Sequence, residues 1–254
     1  MKISVVSAHR GDAAFGVGLA VRVWLEQGHA VEVVNCFTRS EFAPYSDADS
    51  VHANDRMSFV SATRKREDEA WVKLYRGKLT LTDLNLKDAP LRLHCGADEV
   101  FGRAVDLAEK SAVKIQKALE RSGGGALVLP LALDGHVDRV IAREAGMAGM
   151  AGRPETLPMA FYEDLPQAAG FGDEALENAA HGVRLDLTAA FVGPVVDDLE
   201  GAMIRKRRIA WCYDSQIDEA VTGQIAEFCR GYGGRERLWV NAAWLLQDQL
   251  PGGV

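Results

Sequence analysis

The opening 37 residues constrain the fold more tightly than any other part of the chain. Residues 2–8, KISVVSA, form a short run rich in β-branched side chains, the composition of a strand. From residue 12 to 27, Phe15, Leu19, Val23 and Trp24 recur at helical spacing, and Gly28 supplies the stop. Residues 30–37, AVEVVNCF, are again strand-like. Parallel strands must be joined by a crossover of roughly a dozen residues or more, and a helix of this length provides one. The chain therefore begins with the unit from which parallel sheets are built.

The remaining pattern extends that unit. A polar loop is expected over residues 38–54, a charged helix over 61–75 and a strand over 79–84. KDAPLRL follows as a turn, then a long amphipathic helix over 97–121 ended by SGGG. Residues 126–133 form the most apolar strand, and DGHVDR leads from it into a helix through VIAREA. A Gly/Ala-rich connection at 147–156 precedes a short apolar run at 158–162. A strand at 183–187 and helices at 194–212 and 217–231 complete the expectation. No linker divides the chain. The fold class is α/β, a Rossmann-like, mostly parallel sheet flanked by helices. It forms a single domain over 1–254, with a motif core over about 1–170 and C-terminal additions over about 171–254.

The net charge of −7 argues against wholesale attraction to nucleic acid or anionic membrane. No apolar run approaches the roughly 18 residues of a spanning helix, and the run behind Lys2 is too short for a signal peptide. Cys36, Cys95, Cys212 and Cys229 are scattered, so neither a disulfide framework nor a thiolate metal site is expected, and a cytoplasmic location follows.

Two strand ends carry the chemistry. AHRGD follows the first strand and DGHVDR follows the apolar one. Ligands of open parallel sheets bind beyond the carboxyl ends of the strands, near the point where strand order reverses. If these two strands are neighbours, His9, Asp12, His136, Asp138 and Arg139 converge on one crevice. A catalytic zinc takes three protein ligands and leaves a place for water, so His9 and Asp12 are two candidate ligands. The spacing alone equally fits Asp12 as a helix N-cap with His9 as its partner. Dinucleotide binding is disfavoured. Gly11, Gly16 and Gly18 do not make GxGxxG, since Val21 stands at the third glycine, and the second strand ends in Asn35 and Cys36 rather than an acid.

These motifs resemble the PIG-L/LmbE-like family of zinc-dependent N-deacetylases. Its first motif, Ala/Pro-His-Pro-Asp-Asp, is matched by Ala8-His9-Arg10-Gly11-Asp12, and its second, His-x-Asp-His, by His136-Val137-Asp138-Arg139. RKREDEAWVKLYRG resembles the family's Arg-x-x-Glu helix, with Arg66 and Glu69 as the match. VVNCFTRSEFAP, LPMAFYEDLP, CYDSQ and GGRERLW resemble further segments, so the likeness spans nearly the whole chain. It implies amide hydrolysis on N-acetylglucosamine-type substrates, with His9 and Asp12 as zinc ligands and His136 as an assisting acid or electrostatic group. It also exposes two departures. The general-base position holds Gly11, and the third ligand position holds Arg139, whose guanidinium stays protonated and offers no lone pair to a metal.

The expectation is therefore a protein of deacetylase type without zinc hydrolysis and without a cofactor. Arg139 is expected to pair with Asp12 in a metal-free polar pocket, which either takes a small polar or sugar-like ligand or is only structural. Arg66, Arg139 and Tyr162 are candidate substrate contacts. His136 and Asp138 are the candidate catalytic groups if a remodelled zinc site is active. A non-catalytic assembly role, with a homo-oligomer, is the third expectation. Glu163 and Asp164 are placed near the crevice. His52 and His181 are read as solvated, and His94 and Cys95 as edge-strand residues. The basic run IRKRR (204–208) is read as a helix face pairing with VVDDLE.

Overall fold

The two strands with polar ends lie side by side. In the computed structural model, which describes residues 1–122, 125–149, 156–194, 199–248 and 250, β1 (Lys2–Ser7) pairs in parallel with β4 (Ala126–Pro130), Ile3 opposite Ala126. On its other side β1 pairs with β2 (Ala30–Asn35), which pairs with β3 (Thr80–Asp83). β4 is followed by β5 (Met159–Tyr162), and all these pairings are parallel. β7 (Glu236–Val240) then runs antiparallel between β5 and β6 (Thr188–Val192). The order is β3-β2-β1-β4-β5-β7-β6, so strand order reverses between β1 and β4. That is where an open α/β sheet forms its crevice. The C-terminal part of the chain thus supplies two strands of the sheet.

Helices cover both faces: α1 (Asp12–Glu26), α2 (Ala53–Leu74), α3 (Ala89–Leu93), α4 (Lys110–Ser122), α5 (Val137–Ala148), α6 (Asp173–His181), α7 (Leu199–Ala210), α8 (Glu219–Gly231) and the short α9 (Ala242–Leu245). None is long and apolar enough to cross a membrane among the described residues. Trp24, Trp71, Trp244, Phe37 and Phe161 are fully buried. α1 is kinked at Val17, whose φ of −135° is not helical. The kink leaves backbone donors at Leu19 and Ala20, and the buried Glu236 carboxylate accepts both, at 3.1 and 2.8 Å. Lys206, equally buried, pairs with Glu236 and donates to the Phe15 carbonyl. A buried carboxylate is tolerated only when paired and hydrogen-bonded, and this one ties α1, α7 and β7 together. Gly16 has a packing role here, because a Cβ would lie 2.4 Å from the Tyr162 ring.

Several local expectations shift. The helix expected over 97–121 begins only at Lys110; before it, the backbone of Phe101 bridges to His136 at the crevice. KDAPLRL contains α3, capped by the Asp88 side chain, and His94 is its left-handed C-cap with φ +53°, not a strand residue. The late strand is at Thr188–Val192, beyond the expected 183–187. β7 and α6 were not expected at all. Of the acidic residues of VVDDLE expected to pair with IRKRR, Asp197 and Asp198 lie outside the described residues and Glu200 pairs with Arg230, while Lys206 of the basic run is buried against Glu236.

Candidate functional site

The AHRGD loop is built from its own short polar side chains. The Ser7 hydroxyl donates to the His9 carbonyl at 2.6 Å and accepts from the Ala13 amide at 3.1 Å. Gly11 turns the chain at φ +99°, a conformation that side chains disfavour. Asp12 is the first residue of α1, with Gly11 as the N-cap, and its carboxylate reaches back to the His9 amide at 2.9 Å. It is therefore not the N-cap. Across the crevice His136 caps α5, its Nδ1 accepting from the Asp138 amide at 3.2 Å.

His9 is clasped between two carboxylates. Nδ1 lies 3.3 Å from Asp12 and Nε2 lies 3.0 Å from Asp138. Burial alone would push the imidazolium down, but the hydrogen bonds and charges of Asp12 and Asp138 raise its pKa to about 9. Asp138 is itself fully committed, accepting from the Ala89 amide at 2.7 Å and from Arg92 at 2.6 Å. Burial would raise Asp12 as well, yet the Arg139 and His9 charges hold it below the ordinary carboxylate range.

Arg139 fills the space beside them. Its Nη2 donates to Asp12 at 3.1 Å, Nη1 donates to Asp134 at 2.6 Å, and Nε lies 3.8 Å from Asp164. The guanidinium is buried, and the three carboxylates outweigh the desolvation and push its pKa up. Asp164 is buried, and burial lifts it to about 7 against the pull of Arg139. His136 is pressed the other way, first by burial and then by the His9 and Arg139 cations, to about 4.

A zinc ion does not fit this arrangement. His9, His136 and Asp138 do bring ligand atoms within 4.8 Å of one another. Both His9 nitrogens, however, face carboxylates as donors, and both Asp138 oxygens are taken by cations or amides. The His136 Nδ1 lone pair serves the helix cap, so in the neutral ring Nε2 carries the proton. Arg139 then occupies the remaining candidate ligand, Asp12, and adds a fixed positive charge beside His9 that opposes a dication.

Above this floor opens a cavity of about 330 Å³. His9, Asp12, His136 and Arg139 line it, as expected from sequence, together with Arg64, Asp88, Asp134 and Gln216. Arg64 is buried, and its Nη2 donates to the Arg10 carbonyl at 2.8 Å and to Gln216 at 2.6 Å. No carboxylate among the described residues lies within ion-pair reach of it, and its buried Nε has no partner. Beneath it Arg10 pairs with Asp68 and Asp83, while Tyr213 donates to Asp68 at 2.9 Å. CYDSQ thus contributes to the floor through Tyr213 and Gln216.

Two expected contacts lie elsewhere. Tyr162 is wholly buried and donates to the Val6 carbonyl at 3.1 Å. Arg66 is exposed on another face of α2, in an open groove with Trp211 and Arg208. The buried stripe of α2 is Val60, Arg64, Glu67, Asp68 and Trp71. Val60 and Trp71 mark that stripe in the sequence, and following it at helical spacing leads to Arg64. Glu163 points away and binds Arg237 and Trp239. His52 caps α2, and His181 ends α6; both are exposed.

No family model matches the chain. Over 241 residues it is 28% identical to a 2'-N-acetylparomamine deacetylase of Streptomyces fradiae, covering 93% of this chain and 80% of that protein. Its fold is similar to that of a deacetylase from teicoplanin biosynthesis, with a TM-score of 0.68 at 19% identity, over 94% of this chain and 97% of the other. It is also similar to the N,N'-diacetylchitobiose deacetylase of Pyrococcus horikoshii, with a TM-score of 0.60 at 13% identity, over 97% and 86% of the two chains. The homologue is a deacetylase, and both of these structural neighbours are deacetylases.

Proposed function

We propose that this chain is a divergent protein of the LmbE/PIG-L N-deacetylase type that binds an amino-sugar-like ligand without zinc hydrolysis. The observation that carries the proposal is Arg139, whose guanidinium reaches Asp12 and Asp134 at 3.1 and 2.6 Å. That side chain puts a permanent, internally neutralised charge where amide hydrolysis of this type needs a Lewis acid. Gly11 leaves no side chain to activate water.

What remains suits recognition of hydroxyl and amino groups. Arg64 brings a guanidinium without a carboxylate partner among the described residues, and Asp88 an acceptor, to the wall of one cavity, and His136 presents an N–H. Sugars are held by such mixed donor and acceptor sets, because every hydroxyl both gives and takes a hydrogen bond. The homologue acts on an N-acetylated amino sugar, which supports that ligand class.

Calorimetry with glucosamine and N-acetylglucosamine tests the proposal. Binding that is lost in Arg64→Met and Asp88→Asn, with no acetate released in the presence or absence of zinc, is expected. Zinc-dependent acetate release by the unaltered protein would overturn it. A second reading, an active hydrolase with a remodelled centre, is favoured by the clustering of His9, His136 and Asp138. It requires Arg92 and Arg139 to withdraw from Asp138 and Asp12, and the same acetate assay decides it.

A further inference from the structure

The mouth of the crevice is unlike its floor. Five aromatic side chains among the described residues are substantially exposed, and three of them, Phe42, Tyr45 and Phe101, line this one cavity, at 55, 54 and 48% exposure. They come from two separate segments. The Tyr45 hydroxyl donates to Asp218, the N-cap of α8, at 3.0 Å, which ties one side of the mouth to the C-terminal half. Phe101 is fixed on the other side, its ring edge-on to His136 at 5.5 Å and its backbone bridged to that residue. Tyr45 and Phe101 are therefore anchored, yet much of the apolar surface of all three rings faces water. Exposed apolar surface gathered at the mouth of a cavity marks a surface that a bound ligand covers, while the floor here is charged and polar.

We propose that the ligand is amphiphilic: an amino-sugar head lies on the floor at Arg64 and Asp88, and an apolar substituent crosses the mouth over Phe42, Tyr45 and Phe101. This rests on the sugar-binding function proposed above. The substituent is alkyl or acyl, attached through the anomeric oxygen or the amino nitrogen. A free monosaccharide would leave the three rings uncovered, and its binding would forgo the burial they offer.

A homologous series tests this by calorimetry, below micelle-forming concentrations: methyl, butyl and hexyl glucosaminide, with N-hexanoylglucosamine as the arm that locates the attachment. Affinity is expected to rise by up to about fourfold per methylene buried. The gain should vanish in the Phe42→Ser/Phe101→Ser variant and persist in Trp211→Ser, an exposed aromatic in a different groove. Because all three side chains are exposed, unchanged melting of the variants is the control for folding. If the methyl glucosaminide binds and lengthening adds nothing, the apolar end is refuted while sugar binding stands. A gain that survives in the double variant refutes it equally, by placing the chain elsewhere. If no member binds at all, the sugar-binding function fails and this inference with it.

Discussion

Replacing Arg139 by methionine tests directly whether this residue neutralises the crevice. The change keeps much of the aliphatic volume and removes one buried cation that contacts Asp12 at 3.1 Å and Asp134 at 2.6 Å, with Asp164 at 3.8 Å. Removing one partner of a buried pair costs about 3–5 kcal/mol, because the remaining charge is left uncompensated. Three carboxylates lose their partner here, but Asp12 keeps His9 and Asp134 retains some solvent contact, so the same range applies. The loss should depend on pH. In the unaltered protein Asp12 is depressed, so its contribution is fully present above its unfolded value and is lost only as pH falls through its folded one. Without Arg139 that depression is relieved, and Asp164, already at about 7, moves higher. The native variant then holds protons that the unfolded chain has released. Its deficit is therefore largest at about pH 8 and shrinks toward about pH 5. Urea unfolding followed by tryptophan fluorescence, in chelator, measures both values. A variant within about 1 kcal/mol of the parent at the higher pH, or a deficit that ignores pH, would refute the reasoning.

Two further perturbations follow from the same loop. The His9 ring should titrate near about 9 and His136 near about 4, read from ring-proton chemical shifts, and a His9 value near 6.5 would contradict the double carboxylate clasp. Since His9 is raised, its contribution of about 3 kcal/mol is complete below about pH 6.5 and is lost as pH rises through about 9; His9→Gln should flatten that decline. Gly11→Asp should destabilise by about 1–3 kcal/mol in thermal or urea unfolding, from its φ of +99° and a Cβ placed 3.1 Å from Phe15 and 3.3 Å from Tyr213; an unchanged stability would show that the loop relaxes freely.

The sequence made the crevice legible because two apolar strands end abruptly in His/Asp clusters, and strand ends of parallel sheets converge. The Arg139–Asp12 pair followed from the resemblance, which sets Arg139 where the third ligand would stand, together with the opposite charges of the two side chains. Arg66 stood in for Arg64 because Arg-x-x-Glu fits residues 66–69 and 64–67 alike, and only the phase set by Val60 and Trp71 separates the buried arginine from the exposed one. β7 escaped notice because it carries Glu236 and Arg237, whose partners Lys206 and Glu163 are distant in sequence. Segment 97–109 has helix-like spacing, but Val100 and Phe101 spend it on contacts with the crevice instead. Burial that depends on a remote partner leaves no local periodicity to read.

The most direct test of the crevice is zinc binding by the unaltered protein after chelation and dialysis, followed by elemental analysis and by the His9 ring signals. Well below one equivalent of zinc, with those signals unmoved on addition of the metal, is the expected result. One equivalent bound with His9 as a ligand would contradict the place given to Arg139.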